Sequence, residues 1–165
     1  AKIPQMSPKS IPPDSKTSLT ALAGAAPFVV PMSREAVIGR LRAAGIAPTH
    51  QRIEIAQVLF DCHEHLSAEQ LLVRVNARFA QSSKATIYNT LKLLVEHGMV
   101  RELFVERDKV VYDPNMTPHH HFYDVDSGKL TDIPAEGVEI RGLPPLPKGV
   151  MSAGVDVIVR IRSAA

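Results

Sequence analysis

Residues 117–130 read Thr-Pro-His-His-His-Phe-Tyr-Asp-Val-Asp-Ser-Gly-Lys-Leu, a histidine run at the head of a stretch patterned as a β-hairpin. In an extended strand alternate side chains share a face, so His119 and His121 point one way and His120 the other. A pair of imidazoles on one face begins a site for Fe, Mn, Zn or Ni. Two donors are too few, so the others must come from elsewhere in the chain. Cys62 is the single cysteine. It excludes an intramolecular disulfide and every multi-cysteine zinc site, and a lone cysteine is most often a small buried apolar residue. A His-rich run can also be a surface metal scavenger or a purification tag; its internal position and the flanking hairpin pattern argue against a tag. His50, His63 and His97 read as surface or capping residues; His97 falls in the last turn of a helix, where a cation is favoured.

The elements that must carry these residues are legible as periodicities. Residues 1–31, rich in Pro, Ser and Lys with no apolar period, read as a flexible tail. Ser33, Thr49, Ser67 and Ser83 each precede a helical pattern, and Ser67 with Gln70 forms a capping box. Gly45 and Gly98 stop the first and fourth helices. The third and fourth helices are separated only by Gln81-Ser82-Ser83. The period then shortens to two: Met-Val-Arg-Glu-Leu-Phe-Val from Met99, a turn at 106–109, and Val-Val-Tyr-Asp-Pro ending at Pro114. Helices with a closely joined last pair, followed by a hairpin, are the order of a winged helix-turn-helix, with the fourth helix as recognition helix. Pro114 and Pro118 mark a boundary. Beyond it come the histidine hairpin, a Pro-rich connection at 141–149, and Val-Asp-Val-Ile-Val-Arg-Ile-Arg, whose alternation predicts Val155, Val157, Val159 and Ile161 on a buried face. So small a second domain has too little core of its own and is expected to pair with a second copy.

The fold expected is thus α+β: a tail (1–31), a winged-helix domain (32–113), a hinge (114–118) and a small α/β dimerisation domain (119–165). On the fourth helix the apolar positions face inward, leaving Lys84, Tyr88, Asn89 and Lys92 outward with no acid between Lys84 and Lys92. Lysines contact phosphates, and Asn or Tyr reaches base edges or a thymine methyl. Arg52, early in the second helix, adds a phosphate or minor-groove contact. An ordinary solvated helix face is the plainer reading of such positions; the helix-turn-helix order and an outward tyrosine among lysines favour double-stranded DNA.

Together, Gly-Ile-Ala-Pro-Thr-His-Gln-Arg, His-Leu-Ser-Ala-Glu-Gln-Leu-Leu, Ala-Thr-Ile-Tyr-Asn-Thr-Leu-Lys-Leu-Leu-Val-Glu-His-Gly-Met-Val and the histidine hairpin resemble, in order and spacing, the ferric uptake regulator (Fur) superfamily over residues 33–162. The resemblance implies a homodimeric, metal-responsive transcription regulator of iron homeostasis that binds an AT-rich inverted-repeat operator. It implies a metal site of His65, Glu106, His119, His121 and Asp132, with three donors in the dimerisation domain and two in the DNA-binding domain. Such a hard N/O set suits Fe²⁺ or Mn²⁺, with Zn²⁺ able to bind in vitro. A second site of the family would use His120 and Glu139, but no histidine follows His121 to complete it. Where the family often carries a Cys-x-x-Cys zinc pair, this chain has Asp124 and Ser127, so no structural Cys₄ zinc is expected. That loss and the triple histidine look most like the iron response regulator (Irr) branch, for which haem at His120 is implied.

Two rival functions compete with this one. A His-x-His metal-dependent enzyme would need a barrel of many strands, which four helices do not supply, and no nucleophile elbow, phosphate loop or zinc-protease motif is present. A metal buffer explains the histidines but not the outward face of the fourth helix. The charge of +2 and the 5% aromatic content say little by themselves about nucleic acid. The apolar stretches fall short of the roughly 18 residues of a membrane span, and the absence of a signal-peptide pattern makes a cytoplasmic location the expectation.

Overall fold

The structure, a computed structural model, describes residues 31–164 except His63 and Ala80. The expected tail and the reading of His63 fall outside the described residues, save for Pro31. Met32 is anchored on the second helix: its amide donates to Asp61 Oδ1 at 2.8 Å and its carbonyl accepts from Gln57 Nε2 at 3.1 Å.

Four helices come first: α1 (Arg34–Ala43), α2 (His50–Asp61), α3 (Ala68–Arg78) and α4 (Lys84–Glu96). Ser33, Thr49, Ser67 and Ser83 cap them through their side-chain oxygens, and the reciprocal Ser67–Gln70 capping box is complete. Gly45 and Gly98 follow α1 and α4 with φ of +77° and +64°, the left-handed region that L side chains avoid. The inward faces of the helices form one core in which Val37, Leu41, Leu59, Leu71, Ile87 and Leu91 are buried. His97 ties the ends of α1 and α4 together, its Nδ1 donating to the Ala44 carbonyl at 2.6 Å.

The hairpin of β1 (Arg101–Glu106) and β2 (Lys109–Asp113) pairs antiparallel, with Arg101 opposite Asp113 and Leu103 opposite Val111. Its two faces pack against different layers. Val110 and Tyr112 pack on the helices, whereas Leu103, Val105 and Val111 join Tyr123 and Leu130 in a second core. The partners of that second core come from a three-stranded sheet in the order β4-β3-β5, with β3 (His119–Asp124) central, β4 (Leu130–Pro134) antiparallel to it and β5 (Ile158–Ile161) parallel. A 3-10 turn at Ala135–Gly137 follows β4, and among the described residues no α-helix follows Glu96.

The last strand differs from its sequence pattern. It spans four residues, and the half-buried position is Ile158, whereas Val155, Val159 and Ile161 are 39–45% exposed. In one chain the side of β5 that carries Val159 and Ile161 has no layer above it, and of the face that alternation marks for burial only Val157, just before the strand, is half-buried. Among the described residues no helix is long and apolar enough to cross a membrane.

Candidate metal centre

Three pieces of backbone bring the candidate ligands together. His65 lies in the connection between α2 and α3. The next residue, Leu66, forms an isolated antiparallel bridge with Tyr112, its amide reaching the Tyr112 carbonyl at 3.4 Å and its carbonyl accepting from Tyr112 at 2.8 Å. That bridge sets His65 beside Asp113, the last residue of β2. On β3, His119 and His121 share a face, and register places Asp132 of β4 directly opposite His121. Asp113 and His121 are 1% and 0% exposed, and the His65 side chain only 6%.

Of the ligands implied by the resemblance, His65, His119, His121 and Asp132 converge. Asp113, absent from that set, stands among them. His119 Nε2 is 3.0 Å from Asp113 Oδ2, and His65 Nε2 is 3.1 Å from His121 Nε2. Asp132 Oδ1 is 3.3 Å from His65 Nε2 and 3.8 Å from His121 Nε2, while Asp132 Oδ2 is 3.8 Å from His119 Nε2. Asp113 completes the set at 3.7 Å from His65 and 3.8 Å from His121. Donors held about 2.1 Å from one small cation stand about 3.0 Å apart when adjacent and about 4.2 Å when opposed; every separation above lies in that interval.

Glu106 is not brought to this cluster. It is exposed at the far end of β1, beyond an irregularity in register after Phe104, and its carboxylate accepts from the Tyr123 hydroxyl at 2.5 Å. The register irregularity and the bond to Tyr123, whose ring lies in the second core, hold Glu106 at the turn end of the hairpin, away from Asp113 at the other end. Asp113 had a signal in the sequence, a carboxylate ending an apolar strand immediately before Pro114, but its neighbours are fixed only by the Leu66–Tyr112 bridge.

The donor set is chemically suited to a divalent cation. His119 Nδ1 donates to the Thr117 carbonyl at 2.7 Å, which leaves the lone pair on Nε2, the atom facing the carboxylates. His65 and His121 present Nε2 to each other, a juxtaposition that needs a proton or a cation between them, and Nδ1 of each is buried without a partner among the described residues. Burial lowers the His65 pKa although Asp113 and Asp132 pull it upward, so the ring is neutral and able to ligate near pH 7. For Asp113, burial raises the pKa, but the hydrogen bond from His121, the Asn115 amide and the charges of His65 and His119 outweigh it and hold the carboxyl below its ordinary value.

His120, on the opposite face of β3, accepts from the Val157 amide at 3.3 Å and lines a cavity of about 270 Å³ with Arg101, Met116 and Asp156. Glu139 forms a bidentate pair with Arg141 at 2.7 Å for each bond. At 124–127, Asp124 accepts from the Ser127 hydroxyl at 2.6 Å and from the Asp126 amide at 2.9 Å, closing the turn where a cysteine pair would otherwise stand.

On α4, Lys84, Tyr88, Asn89 and Lys92 are all exposed. Tyr88 donates to Glu69 at 2.7 Å and Lys84 lies 3.4 Å from the same carboxylate; Lys92 pairs with Glu96 at 3.8 Å. Arg52 is half-buried, donates to the Ala47 carbonyl at 3.0 Å, and shares a surface depression with Asn89.

The family model described as the ferric uptake regulator family matches residues 43–143, more than half of the chain. The peroxide-responsive repressor PerR of Staphylococcus epidermidis is 34% identical over 99 residues, 60% of this chain and 66% of the relative. PerR of Staphylococcus aureus strain Mu50 is 35% identical over 99 residues, 60% of this chain and 67% of that one. The matched segment thus spans about two thirds of the length of these curated relatives. The ferric uptake regulator of Pseudomonas aeruginosa, solved with manganese, superimposes with a TM-score of 0.60 at 19% identity, covering 81% of this chain and 100% of that one. That of Vibrio cholerae gives 0.61 at 19% identity, covering 76% and 98%. At such identities the structural likeness is one of fold, and it matches the helices, wing and second sheet described above. By the extent of its match, the chain belongs to the ferric uptake regulator family, a family of transcription regulators and not of enzymes.

Proposed function

We propose that this protein is a homodimeric, cytoplasmic repressor that binds double-stranded DNA through α4 in response to a divalent cation held by His65, Asp113, His119, His121 and Asp132. The observation that carries the reading is their convergence from both sides of the 114–118 connection. The donor atoms of His65, Asp113, His119 and His121 lie within 4.8 Å of one another, with Asp132 3.3–3.8 Å from the histidine nitrogens. Three imidazoles and two carboxylates suit Fe²⁺ or Mn²⁺, and Zn²⁺ in vitro. The cation supplies positive charge that the five donors share. His65 and Asp113 belong to the winged-helix domain, and the other three to the second, dimerisation domain; joint ligation fixes the angle between them. In a dimer that angle sets the spacing of two recognition helices, which must match half-sites about one helical turn apart or a multiple of it. Coupling between metal and DNA is then reciprocal.

Lys84 and Lys92 supply phosphate contacts, Tyr88 and Asn89 reach base edges, and Arg52 adds to the same surface. The exposed Val155, Val159 and Ile161 beside β5 offer the apolar face that a second copy covers. The narrower expectation of an Irr-type regulator with haem at His120 rests on the turn at 124–127 without cysteines and on the triple histidine. Because His120 is engaged by Val157 and the cavity beside it is small, about 270 Å³, a divalent-cation sensor without structural zinc is the reading we propose.

The test is anisotropy of a labelled AT-rich inverted-repeat duplex, with and without Mn²⁺, at two salt concentrations. The proposal expects metal-dependent affinity that falls steeply with salt, and loss of the metal dependence in His121→Ala. Equal, weak binding to the operator and to random DNA under every condition would refute it and favour a metal buffer.

A further inference from the structure

Arg101 stands directly across the β1–β2 ladder from Asp113, on the same face of the hairpin. Its terminal nitrogen Nη2 lies 3.2 Å from Asp113 Oδ2 and 3.3 Å from His119 Nε2, and it also donates to the Asn115 carbonyl at 3.1 Å. The same nitrogen is 2.9 Å from His119 Nδ1, which carries the proton committed to the Thr117 carbonyl and so has no lone pair to offer it. Asp113 Oδ2 and His119 Nε2 are themselves 3.0 Å apart, and both are acceptors. Being close to both ring nitrogens, Nη2 lies over the His119 ring rather than along the Nε2 lone pair, so it donates to Asp113 and sets its positive charge against His119 as well. The other terminal nitrogen of Arg101 reaches Asp156 Oδ1, 3.3 Å away on the segment leading into β5, where the aspartate is half exposed.

We propose that Arg101 is a built-in competitor for the metal, placing a positive charge against two of the proposed ligands, Asp113 and His119, and moving away from them only toward Asp156, which its other nitrogen already reaches. The inference rests on the metal reading above and adds to it a residue that sets the metal threshold. Arginine is suited to this role because it is charged at every accessible pH, and its fork holds two acceptors with one end while engaging a third with the other. A cation ligated by Asp113 and His119 would stand within a few ångströms of the guanidinium charge, so like-charge repulsion favours withdrawal of Arg101 on binding. Asp156 is the acceptor within reach, and its engagement carries the state of the metal centre to the start of β5.

Mn²⁺ affinity, measured by competition against a chromogenic chelator on the full chain, tests this. Arg101→Gln keeps hydrogen-bonding capacity and removes the charge; it should bind Mn²⁺ roughly tenfold to a hundredfold more tightly, the range expected when a charge-assisted hydrogen bond no longer has to be broken. A site merely disordered by the substitution would bind more weakly, so the sign separates the two causes. Asp156→Asn, at a more exposed position, removes the acceptor and should bind several-fold more weakly than the parent, with no effect when Arg101→Gln is already present. Unchanged or weaker binding by Arg101→Gln overturns the proposal. Should that variant fail to fold by circular dichroism, parental affinity in Asp156→Asn overturns it instead. Absence of Mn²⁺ binding by the parent and by Arg101→Gln alike would sink the underlying metal reading together with this one, whereas binding by the parent without a gain in Arg101→Gln sinks this one alone.

Discussion

Replacing Asp113 with Asn, set beside Glu106→Gln, separates the ligand set implied by family resemblance from the one the fold assembles. Asp113 is 1% exposed and its oxygens lie 3.0–3.8 Å from the Nε2 atoms of three histidines. Altering a group that only supports a ligand costs roughly ten- to a hundredfold in metal affinity. Loss of a charged ligand should meet or exceed the upper figure, about 2.7 kcal/mol at about 1.36 kcal/mol per decade. Without metal the variant also loses a charge-assisted bond to Arg101. The guanidinium keeps Asp156 and the Asn115 carbonyl and is about a quarter exposed, so solvent screening puts that loss at about 1–2 kcal/mol. Glu106→Gln keeps its hydrogen bond with the Tyr123 hydroxyl, faces solvent, and should leave Mn²⁺ affinity within about twofold, as expected of a surface change remote from the ligands. The assay is chelator competition with Mn²⁺, run beside urea denaturation in the presence of EDTA. Full Mn²⁺ affinity in Asp113→Asn, or its collapse in Glu106→Gln, would show that the five converging donors are not the metal site.

Because burial holds the His65 pKa below its ordinary 6.5, the unfolded chain takes up that proton first: stability should be level above about pH 6.5 and decline as pH falls below it. Urea midpoints from pH 7.5 to 5.5 check this, and His65→Gln should flatten that slope. Asp113, held below its ordinary value, adds a further loss only under strongly acid conditions, as pH falls through its own depressed range. Tyr88→Ala should weaken operator binding by about 1–3 kcal/mol while hardly altering binding to random duplex, and Lys84→Gln should weaken both and reduce the salt slope by about one unit. Ser67→Ala removes the hydroxyl half of a capping box, leaving the backbone bond to Gln70 Oε1, and should cost about 1 kcal/mol in thermal or urea unfolding. Elemental analysis after exhaustive dialysis should find no stoichiometric zinc, and EDTA should leave the melting transition of the 124–127 turn region intact.

The helices were legible because their information is local. Ser67 and Gln70 announce a cap three residues apart, and the apolar positions of α4 repeat at helical spacing. His119 and His121 were legible for a similar reason, since strand alternation fixes their shared face. Asp113 was not, because its place beside His65 depends on a pairing between Leu66 and Tyr112, 46 positions apart by subtraction of their numbers. Glu106 entered through the resemblance alone, and nothing in the neighbouring residues reveals that Tyr123 reaches it. Arg101 carries no local signal; its place depends on the register that sets it opposite Asp113. For β5, Ile158 interrupts a polar–apolar alternation otherwise carried by Val155, Val157, Val159 and Ile161, and only the layer that covers one side of the strand decides which set is enclosed.

The β1–β2 hairpin, apolar on both sides, bears on how chimaeras of such proteins should be joined. A graft that exchanges the helical part of one regulator for that of another at Pro114 would leave Leu103, Val105 and Val111 facing a foreign Tyr123 and Leu130. A junction placed near Gly98 would keep that half of the sandwich with its native mate, at the expense of Tyr112 and Val110 meeting an unfamiliar helical floor. Either seam cuts an apolar layer, so a working hybrid needs compensating changes on whichever side of the hairpin meets the donor.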